Sequence, residues 1–107
     1  VALQLNIALC ALKCAAYDEA ISQCERVLKT DPKNVKALFR RGCAHLKKPG
    51  HINGLAFGLE DLLRAHELEP QNREVATKLA QARAQQNIVD KEQAATFGKM
   101  LQGGEVV

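Results

Sequence analysis

The chain has 107 residues and a formal net charge of +3, which suits one domain with a modest core. Aliphatic residues and alanine dominate, with no Trp, one Tyr and three Phe, a mixture that favours packed helices over a β-sandwich. No apolar run approaches the roughly 20 residues that span a bilayer, no signal peptide opens the chain, and Cys10, Cys14, Cys24 and Cys43 form no Cys-x-x-Cys pair, so they are expected as reduced, mostly buried thiols of a cytoplasmic, or also nuclear, protein.

The pattern predicts helices near residues 2–14, 17–30, 35–48, 53–68 and 72–101. The second ends in Val27-Leu28-Lys29-Thr30-Asp31-Pro32-Lys33-Asn34, and the fourth in Ala65-His66-Glu67-Leu68-Glu69-Pro70-Gln71-Asn72, so the two prolines lie 38 residues apart. The first and third helices align at an offset of 34, Val1 to Lys13 against Val35 to Lys47. The surplus falls around Pro49-Gly50-His51-Ile52-Asn53-Gly54, where Gly and Pro mark a lengthened turn. From Arg73 to Phe97 there is neither Gly nor Pro, so the last helix should run on the order of 40 Å. Val75, Leu79 and Ala82 give its first part an apolar face that caps the preceding helices. Ile88, Val89, Phe97, Met100 and Leu101 follow, and Gly103-Gly104 is expected to stop it.

A period near 34 residues that closes on Pro is the signature of the tetratricopeptide repeat (TPR), two antiparallel helices per unit. Ala8, Ala20 and Pro32 supply the small and turn positions of the first repeat; Gly42, Gly58, Ala65 and Pro70 supply those of the second. The expected fold is all-α, a TPR solenoid of two repeats, residues 1–34 and 35–72, with a C-terminal capping helix over 73–102 and a tail over 103–107. Solenoid units bury their apolar faces against neighbours. The chain opens at Val1 and reads as a fragment, so its first helix pair should leave a face uncovered, with Tyr17, Ile21 and Leu28 supplying part of the apolar surface and self-association through the N-terminal end as a consequence.

In such a solenoid the first helix of each pair lines a groove. Asn6 and Arg40 occupy the same repeat position, Lys36 lies one helical turn before Arg40, and Lys13 lies two turns after Asn6. Asn6, Lys13, Lys36 and Arg40 should converge on one wall, facing solvent, with Leu9, Phe39 and Cys43 lining the groove among them. Three cations and an amide are suited to carboxylates, and capture of a peptide's C-terminal carboxylate is one recurring recognition mode. Spacing alone equally allows a solvated basic face. No Asp or Glu occurs between Pro32 and Leu59, where Lys33, Lys36, Arg40, Arg41, Lys47 and Lys48 form a basic stretch. RNA would use the same stretch, but interleaved aromatics are lacking. Cys10, Cys14, Cys43 and His45 could be drawn together around zinc, except that Cys43 and His45 point to different faces of one helix; no metal or other cofactor is expected. No catalytic triad, phosphate loop or nucleophile elbow is present, so the chain is not expected to be an enzyme.

Leu5-Asn6-Ile7-Ala8-Leu9-Cys10-Ala11-Leu12-Lys13 and Asn34-Val35-Lys36-Ala37-Leu38-Phe39-Arg40-Arg41-Gly42 resemble the second and third repeats of FKBP-type immunophilins, and are similar to those of cyclophilin-type and aryl-hydrocarbon-receptor-interacting relatives. The resemblance implies a dicarboxylate clamp for the Glu-Glu-Val-Asp tail of heat-shock protein 90 or 70, with Asn6, Lys13, Lys36 and Arg40 as its residues. It further implies an upstream repeat carrying another Lys and Asn, and a prolyl isomerase domain elsewhere in the parent protein. Family members often end the last helix with charged residues, a Tyr and Met-Phe. Lys91-Glu92, Phe97 and Met100-Leu101 stand there, without the hydroxyl and with Leu for Phe. A calmodulin-binding role for this helix is opposed by its mixed charges, Asp90 and Glu92 beside Lys91 and Lys99. A different acidic partner remains the alternative to a chaperone tail.

Overall fold

The computed structural model describes residues 2–106, with side chains through residue 95. Five helices are present and no strand among the described residues: α1 (Ala2–Lys13), α2 (Tyr17–Thr30), α3 (Val35–Lys47), α4 (Gly54–Leu68) and α5 (Arg73–Val106). α1 packs on α2 and α3 on α4 as two hairpins; α2 also packs on α3, and α4 on α5. α3 touches both α1 and α5, so α1, α3 and α5 form one layer and α2 and α4 the other. This is the expected all-α helical-hairpin solenoid with a capping helix.

The repeat is written in its turns. Asp31 and Glu69 end α2 and α4 with nearly identical backbones, φ −136°, ψ 77° and φ −135°, ψ 77°. Pro32 and Pro70 then occupy a tight turn closed by Asn34 N–H to Asp31 C=O and Asn72 N–H to Glu69 C=O, each 3.1 Å. The Asn side chain caps the next helix: Asn34 Oδ1 accepts from Ala37 N at 3.0 Å and Asn72 Oδ1 from Val75 N at 3.2 Å. α1 ends differently, with Ala16 N–H bonded to Ala11 C=O and Ala15 N–H to Leu12 C=O. That is a Schellman cap, and it puts Ala15 at φ 59°, where Gly is usual.

Leu5, Ala8, Cys24, Val27 and Ala37 join α1, α2 and α3 in one buried cluster. Leu38, Ala65 and Val75 join α3, α4 and α5 in another, and Leu62, Leu79 and Ala82 continue it along α5. The capping face of α5 is thus the Val75, Leu79, Ala82 stripe expected from its spacing. Small residues let α3 and α4 approach: a Cβ on Gly58 would lie 2.6 Å from Leu46 Cγ and 3.1 Å from Gly42 C=O.

Two expectations need correction. α5 does not stop at Gly103-Gly104 but continues to Val106; glycine costs about 1 kcal/mol in a helix without forbidding it. Cys10 and Cys14 are exposed while Cys24 and Cys43 are buried, because Leu5, Ala8 and Ala11 occupy the inward face of α1. Tyr17, Ile21 and Leu28, whose direction the sequence leaves open, are half-buried and pack against the core clusters. Among the described residues, the large apolar side chains exposed on the first hairpin are Leu3 and Ile7.

The inserted turn is held by its own contacts. His45 Nδ1 lies 3.0 Å from His51 Nε2, and the two imidazoles and Phe57 form a cluster with centroids 5.2–5.7 Å apart. Gly54 begins α4 where a Cβ would meet His45 C=O at 2.4 Å, so only glycine fits beneath this pair. Lys48 Nζ pairs with Asp18 Oδ1 at 2.7 Å. Gly50, at φ 70°, turns the chain in open space.

Candidate functional site

α1, α3 and the start of α5 enclose a cavity of about 510 Å³ on the face opposite α4. Its apolar lining is Leu9 and Leu12 from α1, Val35 and Phe39 from α3, and Val75 from α5. Lys33, Lys36 and Arg40 bring three cations to it from the α2–α3 turn and α3. The other wall is Glu69, Asn72 and Glu74, from the α4–α5 turn and the first turn of α5.

Of the predicted groove residues, Lys36, Arg40, Leu9 and Phe39 line this cavity. Asn6 and Lys13 are exposed on α1 outside its lining, and Cys43 is buried in α3 rather than at the surface. Lys36 is exposed as expected, but Arg40 is half-buried: its Nη1 donates to Leu5 C=O at 2.7 Å. That bond links the two repeats and fixes the guanidinium over the groove. Further N–H donors of the guanidinium remain for a ligand. Burial raises the Cys43 thiol pKa and pushes that of Cys24 up to about 11, which makes both poor nucleophiles.

The basic stretch is not one surface. Arg41 points away from the cavity and forms a two-bond ion pair with Asp61, Nε to Oδ2 at 2.8 Å and Nη2 to Oδ1 at 2.7 Å. Asp61 is buried on α4, and its hydrogen bonds raise the Arg41 pKa further. Lys48 is engaged with Asp18. Lys33, Lys36 and Arg40 are the members that share the cavity.

The acidic wall was missed in the sequence, although a signal exists. Lys36 follows Pro32 by four residues and Glu74 follows Pro70 by four; Arg40 and Lys78 follow by eight. Carrying the repeat into α5 would have placed Glu74 at the position of Lys36. In the last helix, Glu92 is exposed; the side chains of Phe97, Met100 and Leu101 lie outside the described residues. Among the described residues no group of three or more metal-ligating side chains converges, and no helix is long and apolar enough to cross a membrane.

Stacked helical hairpins with repeated Pro-x-Asn turns and a groove along the first helices define a tetratricopeptide-repeat domain. No protein-family profile matches the chain. It is 40% identical over 76 residues to the human peptidyl-prolyl cis-trans isomerase FKBP4, covering 71% of this chain and 16% of that protein. It is 31% identical over 99 residues to the Arabidopsis thaliana isomerase FKBP42, covering 92% of this chain and 26% of that protein. The C-terminal TPR-containing domain of a Plasmodium falciparum FK506-binding protein superposes with a TM-score of 0.72 at 31% identity, over 82% of this chain and 56% of that one. The chain is therefore a TPR module of the FKBP-type immunophilin and co-chaperone proteins, homologous to their non-catalytic repeat region. It spans about a sixth to a quarter of the length of these curated relatives.

Proposed function

We propose that this module is a receptor for acidic C-terminal peptide tails, the Glu-Glu-Val-Asp end of heat-shock protein 90 or 70, in a cytoplasmic co-chaperone whose parent chain carries a prolyl isomerase domain elsewhere. The observation that carries the reading is the convergence of Lys33, Lys36 and Arg40 on an apolar floor of Leu9, Leu12, Phe39 and Val75. Cations hold carboxylates by charge-assisted hydrogen bonds, while the floor takes an aliphatic side chain between them. Arg40 is already oriented by Leu5 C=O, so little of its rotamer freedom remains to be lost on binding. Asn6 and Lys13 are exposed on α1 outside the cavity lining, where they could meet the part of a bound tail that reaches beyond α3.

Titration of a Glu-Glu-Val-Asp peptide into substituted protein tests this. Lys36→Ala and Arg40→Ala should each weaken binding by about 1.5–3 kcal/mol, the range for hydrogen bonds to charged groups. Because Arg40 also links α1 to α3, Arg40→Lys, which keeps the charge but not the fork, should retain part of the affinity. Unchanged affinity in both alanine variants would overturn the assignment.

A further inference from the structure

The cavity changes sign from one wall to the other, and that polarity carries more than a taste for acids. Lys33, Lys36 and Arg40 belong to the α2–α3 turn and α3; Glu69 and Glu74 belong to the α4–α5 turn and α5. Glu69 is held in place, its Oε1 accepting from Asn72 Nδ2 at 3.0 Å, while Asn72 caps α5. Glu74 is exposed in the first turn of α5, at the repeat position that Lys36 fills in α3. Lys78, one turn further along α5, lies outside the cavity lining, so at the cavity a uniformly acidic peptide would meet attraction over α3 and repulsion at Glu69 and Glu74.

We propose that the ligand of this groove is a peptide with a basic residue upstream of its acidic C-terminus, and that Glu74, supported by Glu69, reads that residue. The inference rests on the carboxylate-receptor reading above. Packed helix axes stand about 8–10 Å apart, so the two steps from α1 through α3 to α5 span on the order of 18 Å. An extended peptide rises about 3.3 Å per residue. With its terminal carboxylate on the α1 and α3 side, the fifth or sixth residue from the end arrives at Glu74. The acidic residues between lie over Lys36 and Arg40.

Octapeptides ending in Glu-Glu-Val-Asp, with Arg, Gln or Glu at the fifth or the sixth position from the C-terminus, separate the possibilities by fluorescence anisotropy at low salt. At one of these positions Arg should bind tightest and Glu weakest, about fivefold apart, the size of one solvent-exposed charge pair. Glu74→Gln should collapse the difference and Glu74→Lys should reverse it, with circular-dichroism melts confirming that both variants stay folded. Peptides that all bind without any order by charge, or an order that Glu74→Lys leaves unchanged, would overturn this inference while leaving the receptor reading intact. Failure of every peptide to bind would overturn both.

Discussion

Arg41 and Asp61 show how much the direction of a single side chain matters. The two residues after Phe39 are both arginines, yet one faces the groove and the other the α4 side, because adjacent helix positions are turned by about 100°. Repeat position singles out Arg40 as the groove arginine, and the position of Asp61 on α4 accounts for Arg41. Asp61 is 5% exposed and the Arg41 side chain 26%, so the pair should respond asymmetrically to deletion. Arg41→Met leaves a buried carboxylate without its partner and should cost about 3–5 kcal/mol. Asp61→Ala leaves a guanidinium able to reach water and should cost about 1.5–3 kcal/mol, the range for hydrogen bonds to charged groups. Urea denaturation of both variants checks this, and equal losses would mean that Asp61 finds other solvation.

At the scale of helices and turns, the sequence was most legible where the chemistry is local. The Asp-Pro-Lys-Asn and Glu-Pro-Gln-Asn segments announce the repeat because Pro fixes the turn and Asn caps the following helix within three residues. The glycine pair was legible as small-residue positions, and its geometry now gives a magnitude. Gly58→Ala gains about 1 kcal/mol of helix propensity but drives a Cβ to 2.6 Å from Leu46 Cγ, an overpacking that costs about 1–3 kcal/mol. A lower melting temperature is expected, and a rise would show that Leu46 moves aside freely. The inserted turn was legible only as an insertion, since nothing in its spacing reveals that His51 folds back on His45. Burial lowers the His45 pKa, helped by His51 and Arg41 and opposed by Asp61 and Glu25. A histidine harder to protonate when folded means that the unfolded chain binds more protons below its ordinary pKa of about 6.5. Stability from this site is complete above that pH and declines as the pH falls below it toward the folded value. Thermal melts at pH 7 and pH 5 should show this loss, and His45→Phe should flatten it; an equal slope in the variant would assign the effect to other groups.

At the scale of the molecule, the five described helices make a sided object. α2 and α4 form the outer layer, and α1, α3 and α5 present a groove whose charge changes along the stack. The long α5 caps the second repeat with the Val75, Leu79, Ala82 stripe and continues beyond it, giving extents of 60 × 29 × 22 Å. The fold could be read from the 34- and 38-residue offsets, and the same offsets put Lys36 and Arg40, which line the cavity, on one face with Asn6 and Lys13, which lie outside its lining. The acidic half is written more faintly, in the four-residue spacing from Pro70 to Glu74 that repeats Pro32 to Lys36, because among the described residues α5 has no following helix to complete a third repeat. The central claim is that the groove recognises a terminal carboxylate rather than negative charge in general. Calorimetric titration of one Glu-Glu-Val-Asp peptide, as the free acid and as its C-terminal amide, tests it most directly. The account predicts that amidation weakens binding by about tenfold or more, the loss of one hydrogen-bonded charge, and by more than replacing an acidic residue far from the terminus. Equal affinity of acid and amide would contradict it and leave a general basic patch in its place.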